Sequence, residues 1–472
     1  MIKPVILWTD ALLFILSSLV VVFIFYARTR PHIRGPWQRI FRGRIAAASL
    51  VVLLVFVIIG LLDSLHYRLP LENDVKSDEI HYAIEVLSVL DALTGPLRTQ
   101  EEKSYSAPFA THLYTKETID RPDGTQVREY PRLQYGGAHL GDRLEDKTGD
   151  IVTRIGLSLL QAIIAGAVLT VLLAMLLGRK HRQGTGKMAR AIIAGRTDIP
   201  WHVILFVLTL LLGLLFLALN LATVYHVLGT DKVGKDVLYL SLKSIRTGLL
   251  IGTLTTLVML PFAIFLGIVA GYARGWIDDV VQYFYTTLNS IPSVLLIAAA
   301  ILMLQVYIAN HPELFETTQE RSDIRLLWLC IILGITSWTG LCRLLRGESL
   351  KLRESEYIQA AVSFGVSHGR IITRHILPNV MHIVLITVVL DFSGLVLAEA
   401  VLSYVGVGVD PTMNSWGNMI NGARLEMARE PVVWWSLLSA FLFMFTLVLA
   451  ANLFSDAVRD AFDPRSAARQ RD

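Results

Sequence analysis

The sequence predicts an all-α polytopic membrane protein of about nine transmembrane helices with one small external insertion of mixed structure. Three observations predict it. Hydrophobic residues make up 54% of the 472 positions and charged residues only 17%, whereas soluble domains run near a quarter charged. The apolar residues arrive in blocks close to the roughly 20 needed to cross a bilayer. Lys and Arg cluster in three loops between those blocks, the signature of cytoplasmic loops.

Taken in order, residues 1–62 hold two spans, 5–26 and 45–62. The first is long enough to cross. Arg28, Arg30 and Arg34 follow it rather than a small-residue cleavage signal, so it reads as a retained anchor. The loop 27–44 also carries Arg39, Arg42 and Arg44 and no acid. Residues 63–150 form the one sizeable polar stretch, rich in acids (Glu72, Asp74, Asp78, Glu79, Glu85, Asp91, Glu101, Glu102). Within it, Ile80, Ala83, Ile84, Leu87 and Leu90 recur at helical spacing and predict a helix over 78–93. Pro108 and Arg121-Pro122-Asp123-Gly124 predict turns. The insertion is either a binding surface or a cap that packs on the membrane part.

Residues 151–202 add a third span, 155–177, and a loop, 178–202, with Arg179, Lys180, Arg182, Lys187, Arg190 and Arg196 against Asp198 alone. Gly184-Thr185-Gly186-Lys187-Met188 in that loop is not a phosphate-binding loop. It lacks the upstream glycine at the right spacing and the hydroxyl residue after Lys187. Residues 203–465 hold the remaining spans: 203–224, 248–270, 281–307, 326–343, 381–404 and 433–453. Pro261 predicts a bend in the fifth span, and Asn289, Ser290 and Pro292 a kink in the sixth. Cys330 and Cys342, the two cysteines, read as buried small apolar residues. The third basic loop, 344–380, carries Arg346, Lys351, Arg353, Arg370 and Arg374. Nine spans place all three basic loops inside, the N-terminus outside, and the C-terminus with its tail 466–472 inside.

That last loop carries the most informative pattern. Glu356-Tyr357-Ile358-Gln359-Ala360-Ala361 is followed by Gly365 and then by His375-Ile376-Leu377-Pro378-Asn379. Small residues let a partner surface approach a short helix closely, and Pro378 is expected to stop that helix where the chain re-enters the membrane.

The segment 359–378 resembles the cytoplasmic signature of ABC importer permeases: EAA, three residues, Gly, nine residues, Ile, one residue, Leu-Pro. Ala360, Ala361, Gly365, Leu377 and Pro378 match in register; Gln359 replaces the Glu and His375 the Ile. Two further boxes are similar to the dipeptide/oligopeptide/nickel branch. One is His226-Val227-Leu228-Gly229-Thr230-Asp231-Lys232-Val233-Gly234-Lys235-Asp236-Val237. The other is Glu399 to Gly408, then Ser415-Trp416-Gly417, Asn452 and Arg459 to Arg465, as in a C-type permease chain. The resemblance covers about 203–465, whereas residues 1–202 are a departure that adds three spans.

The resemblance implies the type I importer permease fold for the C-terminal half. It also implies a non-catalytic translocation subunit for short peptides, with nickel chelates, opines and peptide antibiotics left open as substrates. Glu356, Gln359, Ala360, Ala361, Gly365, Leu377 and Pro378 would form a coupling helix, near 354–377, for two ABC ATPase subunits. Gly229, Asp231, Gly234 and Asp236 would lie in an external loop, where they either meet a substrate-binding protein or only shape a turn. A second, dissimilar permease chain would complete the pathway. ATP and Mg would sit on the partner subunits, with no cofactor on this chain, no nucleic acid bound, and residence in the inner membrane.

Asn289 and Ser290 beside Pro292, and Asp391 and Glu399 in or near the eighth span, are the polar candidates for the pathway. Each reads either as a pathway group or as a local structural one. Used as proton carriers, Asp391 or Glu399 would fit an alternative, an ion-coupled secondary transporter. His368, His375 and His382 recur every seven residues, but no carboxylate or cysteine completes a metal set. An intramembrane enzyme would need a nucleophile or metal constellation that the sequence does not offer.

Overall fold

The computed structural model describes residues 3–29, 31–70, 81–120, 126–141, 143–315 and 317–462. Arg30, the acids Glu72, Asp74, Asp78 and Glu79, the turn expected at Arg121–Gly124 and the tail from Asp463 onward lie outside the described residues.

Among the described residues, nine helices are long and apolar enough to cross a membrane: Trp8–Thr29, Arg44–Asp63, Lys147–His181, Trp201–Leu221, Val237–Ala273, Ser293–Asn310, Thr318–Arg353, His368–Val405 and Trp435–Phe462. Each corresponds to an expected span. The helix through Pro261 runs unbroken from Val237 to Ala273. Both cysteines are free and buried.

Three expectations need correcting. The sixth span is not a kinked 281–307. One helix ends at Ser290, Ile291 is extended, and a new helix starts at Ser293. A proline disfavours helical geometry in the residue before it, so Pro292 breaks the chain rather than bending it. The expected helix over 78–93, of which 78–80 with Ile80 lie outside the described residues, is not one helix over 81–93 either. Tyr82 bridges to Pro70, Leu87–Ser88 pairs antiparallel with His66–Tyr67, and only Val89–Leu93 is helical, started by a Ser88–Asp91 capping box. Ile84 is 81% exposed, so the apolar stripe is never buried as one face. Finally, Pro378 does not stop a helix. The helical run continues from His368 to Val405, with a π turn over Ile372–Ile376 just before it. A proline ring collides with the carbonyl four residues back, and the wider π turn makes room there.

The chain packs as two compact units, each drawn from separate stretches. The first contains residues 37–246 and 414–457. In it, Lys147–His181 packs along Trp201–Leu221 through small and polar residues. A Cβ on Gly166 would lie 2.4 Å from the Thr209 hydroxyl oxygen. Asn220 donates to Ser158 Oγ at 3.0 Å and to Gln161 Oε1 at 2.8 Å. Close approach with interhelical hydrogen bonds is how helices associate in lipid. The insertion in this unit consists of short pieces: the 66–68/87–88 pair, the Glu117–Asp120/Gln126–Glu129 hairpin and short helical turns.

The second unit contains residues 5–36 and 247–413. Its core gathers Met259, Ala263, Val281, Tyr285, Leu341, Cys342, Leu345, Ile358, Ile371 and Ile376. A Cβ on Gly267 would come within 2.7 Å of the Cys342 carbonyl, so the Val237–Ala273 helix and the Thr339–Arg353 helix meet backbone to backbone.

Candidate functional site

Two motif regions carry the candidate sites, one in each unit, and each is described separately.

In the second unit the Thr339–Arg353 helix ends at Glu354, and Ser355 starts a new helix, Glu356–Ser363. Gly365 takes φ +76°, the left-handed turn that reverses the chain toward Ser367, which opens the next helix. Apolar residues fix the underside. Ile358, Ile371, Ile376 and Val380 are all fully buried and join the core around Leu341, Leu345 and Tyr272. Each such side chain contributes about 1.5–3 kcal/mol on burial.

Polar ties brace the same segment. Arg353 donates to the Tyr272 carbonyl at 2.8 Å, and the Tyr272 hydroxyl meets His368 Nδ1 at 2.7 Å. Arg346 grips Asp278 with two hydrogen bonds, 2.5 and 2.8 Å. That guanidinium, followed by an opposing cost of burial, holds the Asp278 carboxyl below the usual carboxylate range. Asn379 donates to the Tyr357 hydroxyl at 3.1 Å and to the His375 carbonyl at 2.7 Å.

What remains uncovered is a tip. Glu356, Gln359, Ala360 and Gly365 are exposed, Ala361 and Leu377 are half-buried, and Pro378 is exposed. Phe364 is 86% exposed, with Tyr357 and Val362 at 46%. Gln359 turns its amide back onto the Glu354 carbonyl at 3.2 Å. The segment is thus a short helix bolted to a membrane core from below and apolar at its free end. Phe364, Tyr357 and Val362 leave exposed apolar side chains at that end.

In the first unit the box His226–Val237 is held from two sides. Its own glycines set the turn: Gly229 has φ +72° and Gly234 φ +87°. Asp231 accepts from the backbone of Val233 and Lys235, both at 2.9 Å, and Asp236 caps the Val237 helix by accepting from Leu238 at 2.8 Å and Tyr239 at 3.2 Å. The insertion supplies the other side. Glu102 N donates to the Gly234 carbonyl at 3.0 Å, and Thr230 N to the Ser106 carbonyl at 3.0 Å. A Cβ on Gly234 would sit 1.7 Å from the Glu102 carbonyl oxygen. Trp435, fully buried, donates from Nε1 to the Thr230 carbonyl at 2.9 Å.

At the centre His226 lies between two carboxylates, Asp236 at 2.8 Å and Glu102 at 3.4 Å, all three buried. Burial alone would lower the imidazole pKa; the hydrogen bonds to Asp236 and Glu102 overturn that and push it up to about 9. Burial likewise opposes ionisation of Glu102. The hydrogen bond from His226 and those from the N–H groups of Gln134, Tyr135 and Gly136 bring its carboxyl down to about 2. Gly229, Gly234 and Asp236 are buried and Asp231 half-buried, while Lys232, Val233 and Lys235 are exposed.

The remaining expected residues do not gather into one site. Asn289 and Ser290 sit in the last turn of Trp276–Ser290, where Asn289 accepts from Thr339 at 3.1 Å. Asp391 and Glu399 lie eight residues apart on Leu377–Val405, about 12 Å along the axis. Glu399 is buried and accepts from Ser403 at 2.7 Å; Asp391 is half-buried. Glu102, Arg346, Asp278 and Tyr272 were missed by sequence reasoning. Glu102 is 124 residues from His226 and belongs to no box, so no local signal points to it.

Comparison with known proteins bears on the second of these regions. Residues 263–467 match the family described as binding-protein-dependent transport system inner membrane component. The chain is 31% identical over 241 residues to the oligopeptide transport system permease protein OppC of Haemophilus influenzae, covering 51% of this chain and 71% of that one. It is 32% identical over 246 residues to OppC of Mycobacterium tuberculosis, covering 52% and 78%. It is 31% identical over 240 residues to the glutathione transport system permease protein GsiD of Pectobacterium atrosepticum, covering 51% and 73%.

Proposed function

The chain belongs to the family of binding-protein-dependent transport system inner membrane components, in the peptide-importer branch, and from that premise we propose that it forms half of the translocation pathway of an ATP-driven importer for short peptides. The observation that carries the reading is the Glu356–Ser363 helix, fixed beneath by Ile358, Ile371 and Ile376 and ending in the exposed Phe364. A lever must be stiff where it joins the load and free where it is pushed. Here Gln359, Ala360, Ala361 and Gly365 face a groove on an ATPase subunit, and Glu356, Leu377 and Pro378 flank it. When two ATPase subunits close on ATP and Mg, the push passes through Tyr272, Leu341 and Leu345 to the spans, and the cavity changes sides.

A second permease chain supplies the other half of the pathway, and a binding protein delivers solute from outside. That protein would meet the segment 99–136 and the exposed Lys232, Val233 and Lys235 before it met Gly229, Gly234 or Asp236. The basic loops lie in the cytoplasm, with the N-terminus outside.

The test is purification from native membranes followed by reconstitution. Two ATPase chains and a sister permease should co-purify, and proteoliposomes should accumulate a radiolabelled tripeptide only with ATP and binding protein present. Accumulation by this chain alone, driven by an ion gradient, would sink the reading.

A further inference from the structure

The second unit also holds a pocket of about 550 Å³ at the ends of Ser293–Asn310 and Thr318–Ser337 that lie away from the Glu356–Ser363 helix. Its volume falls in the range of small-molecule sites. One wall is apolar, from Ile308, Pro312 and Phe315, and the other carries Arg321 and Arg325. The two arginines are one turn apart on the same face of one helix, and both charges act on the Asp410 carboxylate in the 410–412 turn.

The polar wall is built rather than loose. Asp410 is fixed by the Thr412 N–H at 3.0 Å and the Thr412 hydroxyl at 2.8 Å, and Thr412 is itself tied to Ser322 at 3.0 Å. Asp410 also accepts from Nη1 of Arg325, at 3.2 Å. Nε of Arg325 is buried with no hydrogen-bond partner. A guanidinium presents two side-by-side donor edges, and a carboxylate is the group that matches one of them with two parallel bonds. Asp410 uses a donor at the far end, which leaves the Nε–Nη2 edge open. A desolvated donor left without an acceptor is costly, and a ligand carboxylate would relieve that cost. Among the described lining residues, two guanidinium charges stand against one carboxylate.

We propose that this pocket takes the carboxylate of a peptide-sized solute, on the Nε–Nη2 edge of Arg325 and with Arg321 closing over it, the apolar wall accepting the adjoining side chain. The proposal rests on the solute-permease reading above and adds to it a group that the pathway recognises.

The test uses the full-length chain in lipid nanodiscs, titrated calorimetrically with trialanine and with trialanine amide, which lacks the carboxylate. Trialanine should bind at least tenfold more tightly than the amide. Arg321→Gln should abolish that preference with the melting temperature unchanged, since Arg321 is exposed. Arg325→Lys keeps a cation for Asp410 but loses the donor edge, and should also reduce the preference. Equal binding of acid and amide, binding of neither, or a preference that survives Arg321→Gln would overturn the proposal. ATP-driven uptake by the reconstituted complex, measured separately, tells the two readings apart. Uptake without the acid preference rejects the pocket and keeps the importer; the preference without uptake does the reverse.

Discussion

Two motifs were equally visible in the sequence, the box at His226–Val237 and the segment at Glu356–Pro378, and the structure treats them oppositely. The first is enclosed. Gly229, Thr230, Gly234 and Asp236 are buried, and Glu102, Ser104, Ser106 and Phe109 of the same chain contact the box. The second is open. Its apolar residues on one side are fully buried, while Phe364 on the other is 86% exposed. A motif therefore tells which residues a position requires but not what those residues face. In the box, glycine and aspartate are required by this chain's own folding; in the segment, the small residues leave a surface uncovered.

The largest expected effect comes from breaking the enclosure. Glu102→Ala leaves protonated His226 with one carboxylate and strips the N–H groups of Gln134, Tyr135 and Gly136 of their acceptor. Removing one partner of a buried ion pair costs about 3–5 kcal/mol, read as a lower melting temperature and faster proteolysis between residues 99 and 136. The effect depends on pH. His226 is raised from 6.5 to about 9, so its contribution is complete below pH 6.5 and lost as pH climbs through 9. Glu102 is lowered from 4.5 to about 2, so its contribution is complete above pH 4.5 and lost as pH falls through 2. The difference in melting temperature between wild type and Glu102→Ala should peak between pH 4.5 and 6.5. A flat difference from there to pH 9 would mean that the histidine cation is not what the clamp holds.

Gly234→Ala comes next. The backbone there has φ +87°, and the new methyl would meet the Glu102 carbonyl oxygen. Strain and overlap together should cost about 2–3 kcal/mol, in the same assays. Gly365→Ala makes the matched control in the other motif. Its φ of +76° is also left-handed, but nothing lies within 4 Å of the new methyl. Only the conformational term remains, about 1–2 kcal/mol. If the two alanine variants lost equal stability, the contrast between an enclosed and an open motif would fail.

The difference also explains what could be read from the sequence. Among the described residues, all nine helices long and apolar enough to cross were legible, the sixth with a misplaced start, because apolar length is a local property. The positions of Gln359, Ala360, Ala361 and Gly365 on a short helix and its turn were legible for the same reason. The Glu102–His226–Asp236 clamp was not, since one member comes from the insertion, 124 residues away. The break at Ile291 and the passage of the helix through Pro378 were misjudged for one physical reason: a proline's effect depends on the turn before it. Pro292 follows an extended residue and ends the helix, whereas Pro378 follows a π turn that absorbs its ring.

The smallest effect on stability should accompany a large one on transport, and it falls at Phe364. Its ring is almost wholly exposed, so Phe364→Ser should change unfolding free energy by no more than about 0.5 kcal/mol. The Ile358, Ile371 and Ile376 anchors beneath it are untouched by the change, so the lever should stay stiff and lose only its grip. Expected are normal yield, normal melting, and reduced recovery of the ATPase subunits together with reduced ATP-driven uptake. Ile358→Ala inverts the experiment: it removes an anchor with no exposed surface and should cost about 2–5 kcal/mol while leaving the tip chemically intact. A Phe364→Ser protein that recovers its ATPases and transports like wild type would show that the exposed tip is not the coupling surface, and the open motif would then need a different partner from the one its sequence suggests.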